Sequence, residues 1–155
     1  HDTDSMASLT CDTPLGPVSI VEDDGAVVAL KWSRAQCDET PVLVEARRQL
    51  AQYFDGRRTI FDLPLAPAGS DVLTRFLTAL IAIPFGETKT YGQIAKETGM
   101  SAQAAGQACG ANPIPIIIPC HRVLGASNLG GFSAQGGVET KVALLKHEGA
   151  ASLLI

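Results

Sequence analysis

Two kinds of hydrophobic spacing follow one another along the 155-residue chain. In residues 7–32, short apolar runs are separated by Leu15-Gly16 and Asp23-Asp24-Gly25. Val18–Val21 and Ala26–Trp32 read as strands joined by an Asp-Gly turn. From residue 39 to 55 the spacing becomes helical. Val42, Ala46, Leu50 and Tyr53-Phe54 share one side, with Arg47, Arg48 and Gln52 on the other, and Gly56 ends the run. Thr59-Ile60-Phe61 reads as one more strand. Pro64–Gly69 punctuates the chain as a linker. Ser70 or Asp71 then caps a helix running to about Ala82, with Val72, Phe76, Leu77, Leu80 and Ile81 as a wide apolar face. Pro84-Phe85-Gly86 breaks it. Two short helices follow, Tyr91–Glu97 and Ser101 to about Ala111, joined across Gly99 in the spacing of a helix-turn-helix. A last helix spans Val138–His147, with Val142 and Leu145 toward the core and Glu148 just past its end.

This pattern predicts an α+β protein. A small N-terminal α/β subdomain with antiparallel strands (1–63) precedes a linker (64–69). A mostly helical C-terminal domain with a helix-turn-helix (70–155) follows. The second short helix is unusual. Between Ser101 and Ala111 every residue is small or carries an amide, so another backbone can approach it closely.

Composition changes this picture in three places. Hydrophobic residues make up 46% and charged ones 18%, which excludes a disordered chain. No apolar run approaches the roughly 18 residues that cross a bilayer, and the start is polar and acidic, so no membrane contact and a cytoplasmic protein are expected. Charge is uneven. Residues 1–84 hold seven Lys+Arg against twelve Asp+Glu, a balance of −5; residues 85–155 hold five against four, a balance of +1. A polyanionic partner therefore favours the C-terminal half, by a small margin.

The chemistry concentrates in Pro113-Ile-Pro-Ile-Ile-Ile-Pro-Cys-His-Arg-Val123. An apolar, proline-bounded run reads as a short buried extended segment. Cys120, His121 and Arg122 then place a thiol beside an imidazole and a guanidinium, both able to raise its thiolate fraction. Cys11, Cys37, Cys109 and Cys120 are widely and irregularly spaced, and His1, His121 and His147 make no finger spacing. Reduced thiols, no metal site and no cofactor are the expectation.

Asn112–Val123 is similar to the active-site signature of the 6-O-alkylguanine-DNA alkyltransferases, the methylated-DNA–protein-cysteine methyltransferases. Ile83–Thr88 with Tyr91–Ala95 resembles that family's helix-turn-helix entry, and the Gly-Gly-Phe-Ser loop with Lys141–Gly149 resembles its C-terminal end. The resemblance is clear from about residue 70. It implies a monomer that binds double-stranded DNA through the minor groove. A cysteine thiolate then removes the alkyl group from a flipped-out guanine and keeps it, so each molecule acts once. By resemblance Cys120 is the nucleophile, His121 its base through a water, and Glu148 the residue that orients His121. Tyr91 would donate to the guanine ring. Asn112 would be the hinge between recognition helix and active site. Arg122, within the same signature, would hold the fold by a buried ion pair. Val123 and Ser133 would offer backbone groups to the base, and Phe132 would wall the pocket.

The chain departs from the family pattern at several positions. Where the family carries an intercalating arginine early in the recognition helix, this chain has Gln103. Phe132 stands where a tyrosine is usual, Ala134-Gln135 lengthen its loop, and Phe76-Leu77 replace a Val-Trp pair. Two other readings stay open here: a lesion-binding protein that flips alkylguanine without transfer, and a thiol acceptor of alkyl groups that needs little or no DNA.

Overall fold

The computed structural model describes residues 6–125 and 137–150, and the chain divides into two compact units, 1–68 and 69–155. In the first, β1 (Ala7–Thr13), β2 (Gly16–Asp23) and β3 (Ala26–Lys31) form an antiparallel sheet in that order, and α1 (Pro41–Phe54) packs on β1 and β2. The β2–β3 hairpin turns at Asp24 and Gly25, with φ of 53° and 81°. Two successive positive φ values match the twist of a two-residue hairpin, which is why Asp-Gly sits there. The strand β1 was not among the expected elements. Its polar residues hide it: Leu9 and Cys11 are its buried apolar pair, and Ser8, also buried, is polar.

Thr40 caps α1 by accepting from the Leu43 N–H, with Pro41 in the first turn. Leu43, Ala46, Leu50 and Tyr53 are buried; Val42 is half-buried. The expected strand at Thr59–Phe61 does not form. The buried Gln49 amide takes its neighbour's backbone groups instead. Gln49 Nε2 donates to the Asp62 carbonyl at 2.9 Å and Gln49 Oε1 accepts from the Asp62 N–H at 2.8 Å. Arg58 Nη1 donates to the Ile60 carbonyl at 2.8 Å. With side chains serving these groups, no ladder is needed. The stretch read as a linker is tied to β3: Val27 donates to the Pro64 carbonyl and Ala66 to that of Val27, both at 2.8 Å.

The second unit holds α2 (Asp71–Ile81), β4 (Lys89–Thr90), α3 (Tyr91–Thr98), α4 (Ala102–Gly110), β5 (Val123–Leu124) and α5 (Val138–His147). Ser70 caps α2, which buries Phe76, Leu77 and Leu80. Val72 and Ile81, expected on that face, are each 51% exposed. The buried stripe runs on to Ile83 beyond the helix, leaving Val72 and Ile81 at its edges. Thr90 and Gln93 form a reciprocal capping box at the start of α3, and Gly99 ends it in the left-handed conformation with φ 73°. α4 starts one turn later, capped by Ser101, and packs on α3 as a helix-turn-helix.

The apolar run before Cys120 differs from the extended segment expected. Residues 113–118 form a succession of bends and turns, buried from Ile114 onward. Asn112 staples it: its Nδ2 donates to the Ile118 carbonyl at 2.9 Å, and its Oδ1 accepts from the Ile114 N–H at 3.0 Å. Pro113, Pro115 and Pro119 have no N–H to give a ladder. Ile116 takes φ 71°, a left-handed conformation costing a β-branched residue on the order of 1–2 kcal/mol. Burial of Ile114, Ile117 and Ile118 offsets that strain.

Candidate active site

Cys120, His121 and Arg122 form a single 3-10 turn that ends the Asn112-stapled segment and leads straight into β5. β5 pairs in parallel with β4, Lys89 opposite Val123 and Thr90 opposite Leu124. The same register carries the start of α3, and hence Tyr91, to the turn. Helix α5 closes the site from another direction. Glu148, its C-terminal cap, is buried and accepts from His121 Nε2 at 2.8 Å (Oε2) and from Arg122 Nε at 2.8 Å (Oε1). Arg122 Nη2 reaches Oε2 at 3.0 Å, so the guanidinium grips the carboxylate in a two-pronged fork. Its Nη1 donates to the Ile83 carbonyl at 2.6 Å, and the Phe85 ring lies 5.8 Å away. Gly86, with φ 85°, brings that loop in closely: a Cβ there would meet the Glu148 carbonyl at 3.2 Å.

The imidazole of His121 is fully buried. Burial pulls its pKa below the ordinary value of 6.5, and contact with Glu148 pulls back only in part. The neutral ring is therefore favoured. A carboxylate only accepts, so the ring proton resides on Nε2 and Nδ1 carries the lone pair. Nδ1 has no hydrogen-bond partner among the described residues.

The Cys120 thiol is 5% exposed, and burial raises its pKa. A hydrogen bond from Asn112 and the charge of Lys141 act the other way. Lys141 is a residue that the sequence reading did not single out. It is fully buried, donates from Nζ to the Val123 carbonyl at 2.7 Å and lies 5.7 Å from the Tyr91 ring centroid. The signal was present: Lys141, Leu144, Leu145 and Glu148 recur at helical spacing on one face of α5, and all are buried. Val142, expected inward, is half-buried, with Leu144 in its place.

Tyr91 opens α3, and burial raises its phenol to about 12, helped by the thiols of Cys109 and Cys120. It stays a neutral donor at physiological pH. Val123 is buried with both backbone groups engaged, its N–H on the Cys120 carbonyl and its carbonyl on Lys141. Gln103 is exposed on the first turn of α4. Phe132 and Ser133 lie outside the described residues. No three His, Cys, Asp or Glu side chains among the described residues group as a metal site, and no described helix is long and apolar enough to cross a membrane.

Fold and site together define a helix-turn-helix protein with a buried thiol next to an oriented imidazole. Two family models divide the chain between them. Residues 71–150 match the 6-O-methylguanine DNA methyltransferase, DNA binding domain, and residues 6–67 match the 6-O-methylguanine DNA methyltransferase, ribonuclease-like domain. The methylated-DNA–protein-cysteine methyltransferase of Methanosarcina acetivorans is 37% identical over 150 residues, covering 89% of this chain and 95% of that protein. The protein of that name from Mycobacterium tuberculosis is 41% identical over 150 residues, covering 90% of each. A crystal structure of the Mycobacterium tuberculosis OGT in complex with DNA superimposes with a TM-score of 0.81 at 40% identity over 93% of both chains. The chain belongs to the 6-O-methylguanine DNA methyltransferase family.

Proposed function

We propose that this protein repairs DNA by moving the alkyl group of 6-O-methylguanine onto Cys120, once per molecule. One observation carries the residue assignment. Directly after Cys120, His121 is held by the buried Glu148 in the tautomer that leaves Nδ1 basic. The thiol proton passes through a water to Nδ1, and Glu148 stabilises the imidazolium. The sulfur attacks the alkyl carbon in line as the carbon–oxygen bond breaks, leaving a thioether. The electron pair departs on the guanine oxygen, and the base takes a proton to become guanine. Tyr91, a neutral phenol, donates to the ring, and the Lys141 ammonium favours the thiolate. Arg122 acts at one remove, through its fork to Glu148.

DNA is the partner. In our reading it is a duplex carrying an alkylated guanine, met through the minor groove by α4, whose exposed residues include Ala102, Gln103, Gln107 and Gly110. The protein acts as a monomer in the cytoplasm, where its four free cysteines stay reduced.

The pH dependence tests the base. A histidine whose pKa is lowered stays neutral until the solution is more acidic than 6.5, so the acid limb of the transfer rate should fall below that value. Above it the rate holds level, then climbs as the raised Cys120 thiol ionises. The readout is single-turnover transfer from free 6-O-benzylguanine, which needs no base flipping. An acid limb centred above 6.5 would remove His121 from the role of base.

Gln103 sets the expected weakness. Extruding a base costs a few kcal/mol of unpairing and unstacking. A side chain left in the stack recovers part of this, and arginine does so better than glutamine through stacking and nearby phosphates. A balance of +1 over residues 85–155 cannot supply the rest. Duplex repair should therefore be slow beside repair of unpaired or mismatched methylguanine. Gln103→Arg should narrow that gap while leaving reaction with free benzylguanine unchanged. Equal duplex rates for the two proteins would refute the assignment.

A further inference from the structure

The proposed transfer uses one thiol, yet the site holds two. Cys109 sits on the last turn of α4, three residues before Asn112, and is half-buried. Its Sγ donates to the backbone carbonyl of Cys120 itself at 3.9 Å. Since a carbonyl oxygen is about 2.4 Å from its own Cα, Cys109 Sγ lies within roughly 6.3 Å of the Cys120 Cα. Sγ is about 2.8 Å from its own Cα, so the two Cα atoms lie within roughly 9.1 Å, and reaching a disulfide's separation of about 4.4–6.8 Å draws the two backbone segments together. Lys141 faces both thiols, and the Cys109 thiol feels the charge of Cys120.

We propose that Cys109 and Cys120 form a reversible disulfide when the protein meets a hydroperoxide, with Cys109 as the resolving thiol. This rests on the reading of Cys120 as the reactive cysteine. The Cys120 thiolate attacks one oxygen of the peroxide; the O–O bond breaks, leaving a sulfenic acid and hydroxide. The Cys109 thiolate attacks the sulfenic sulfur, the S–O bond breaks, and a second hydroxide leaves as the disulfide forms. Overall two thiols lose two electrons and two protons, and one peroxide becomes two waters.

The electrostatics favour this order. Cys109 is pushed up to about 12, first by burial and then by the negative charge on Cys120, while Lys141 opposes both. A sulfenic acid is neutral, so oxidation of Cys120 removes the second cause when the Cys109 thiolate is needed. Closing the bond requires Cys109 to rotate off the carbonyl, with movement in the 111–119 turns. For a protein that spends its nucleophile once, the disulfide keeps an unused Cys120 from the irreversible sulfinic and sulfonic states.

Trypsin, which cuts after lysine and arginine, releases residues 97–122 as one peptide holding both cysteines. The full chain is treated with a slight excess of hydrogen peroxide, free thiols are blocked, and the protein is digested without reductant. The expected result is a 97–122 peptide lighter by two hydrogens, with neither cysteine blocked, and methyl transfer that is lost and then restored by dithiothreitol. In Cys109→Ser and Cys109→Ala the same dose should drive Cys120 to sulfinic acid, with recovery several-fold lower. Blocking of Cys109 after oxidation, or equal recovery in both variants and the parent, would overturn the proposal. If untreated protein retains no methyl on Cys120 but the peptide still closes, the transfer reading fails and the disulfide stands.

Discussion

Glu148→Gln is expected to leave the protein folded and to slow alkyl transfer by about 10²- to 10⁴-fold, the range of one general base. Glutamine keeps the shape of glutamate and one accepting oxygen, which can stay on Arg122 Nε. Its amide N–H₂ then faces His121 Nε2, where Oε2 now accepts at 2.8 Å. Two donors cannot face each other. The imidazole must move its proton to Nδ1, and the nitrogen that should receive the thiol proton becomes a donor. Glu148→Ala is a harsher change. It leaves Arg122 buried with the Ile83 carbonyl as its remaining hydrogen-bond partner among the described residues, and unpairing a buried charge costs about 3–5 kcal/mol. The two variants separate the roles. Glu148→Gln should stay folded with part of the ion pair's stability lost and transfer slowly, and Glu148→Ala should lose more stability still. Single-turnover rates with methylated duplex, beside thermal melts, read both. A parent-like rate in folded Glu148→Gln would mean that His121 does not receive the proton.

Cys120→Ala is expected to abolish retention of the alkyl group while binding to methylated duplex persists. The Cys120 sulfur is the nucleophile of the proposed transfer, and the change removes that one buried sulfur. A small cavity of this kind costs on the order of 1 kcal/mol, so the variant should fold. Cys109 is the control within the protein. Burial holds its thiol protonated, so it should not take over the transfer. Any methyl found on Cys109 in Cys120→Ala would show that the site activates either thiol.

The sequence made the elements legible where capping residues punctuate strong periodicity. Ser70, Thr90 with Gln93, Gly99 and Ser101 fix the ends of α2, α3 and α4 close to the expected positions. It was less legible where polar side chains replace backbone partners. Gln49 clamps Asp62 and removes an expected strand; Asn112 clamps Ile114 and Ile118 and folds an apolar run into turns. Neither effect leaves a periodic trace, because each depends on one polar side chain bonding backbone groups, Gln49 across 13 residues and Asn112 within its own segment. The site residues were named through the Pro-Cys-His-Arg-Val string and its resemblance. Geometry adds what a string cannot hold: Glu148 serves His121 and Arg122 at once, and Lys141 brings a buried cation to the same turn. A buried lysine on an apolar helix face reads in sequence as a solvated residue unless its spacing from Glu148 is weighed.

The central claim is that the alkyl group ends on Cys120, once. The direct measurement is mass spectrometry of the full chain after reaction with excess duplex carrying a single 6-O-methylguanine. The account predicts protein heavier by one methyl in place of hydrogen, the added group on Cys120 within peptide 97–122, and repaired guanine equal to protein in amount. Repaired guanine accumulating beyond one equivalent, or a methyl on any other residue, would contradict it.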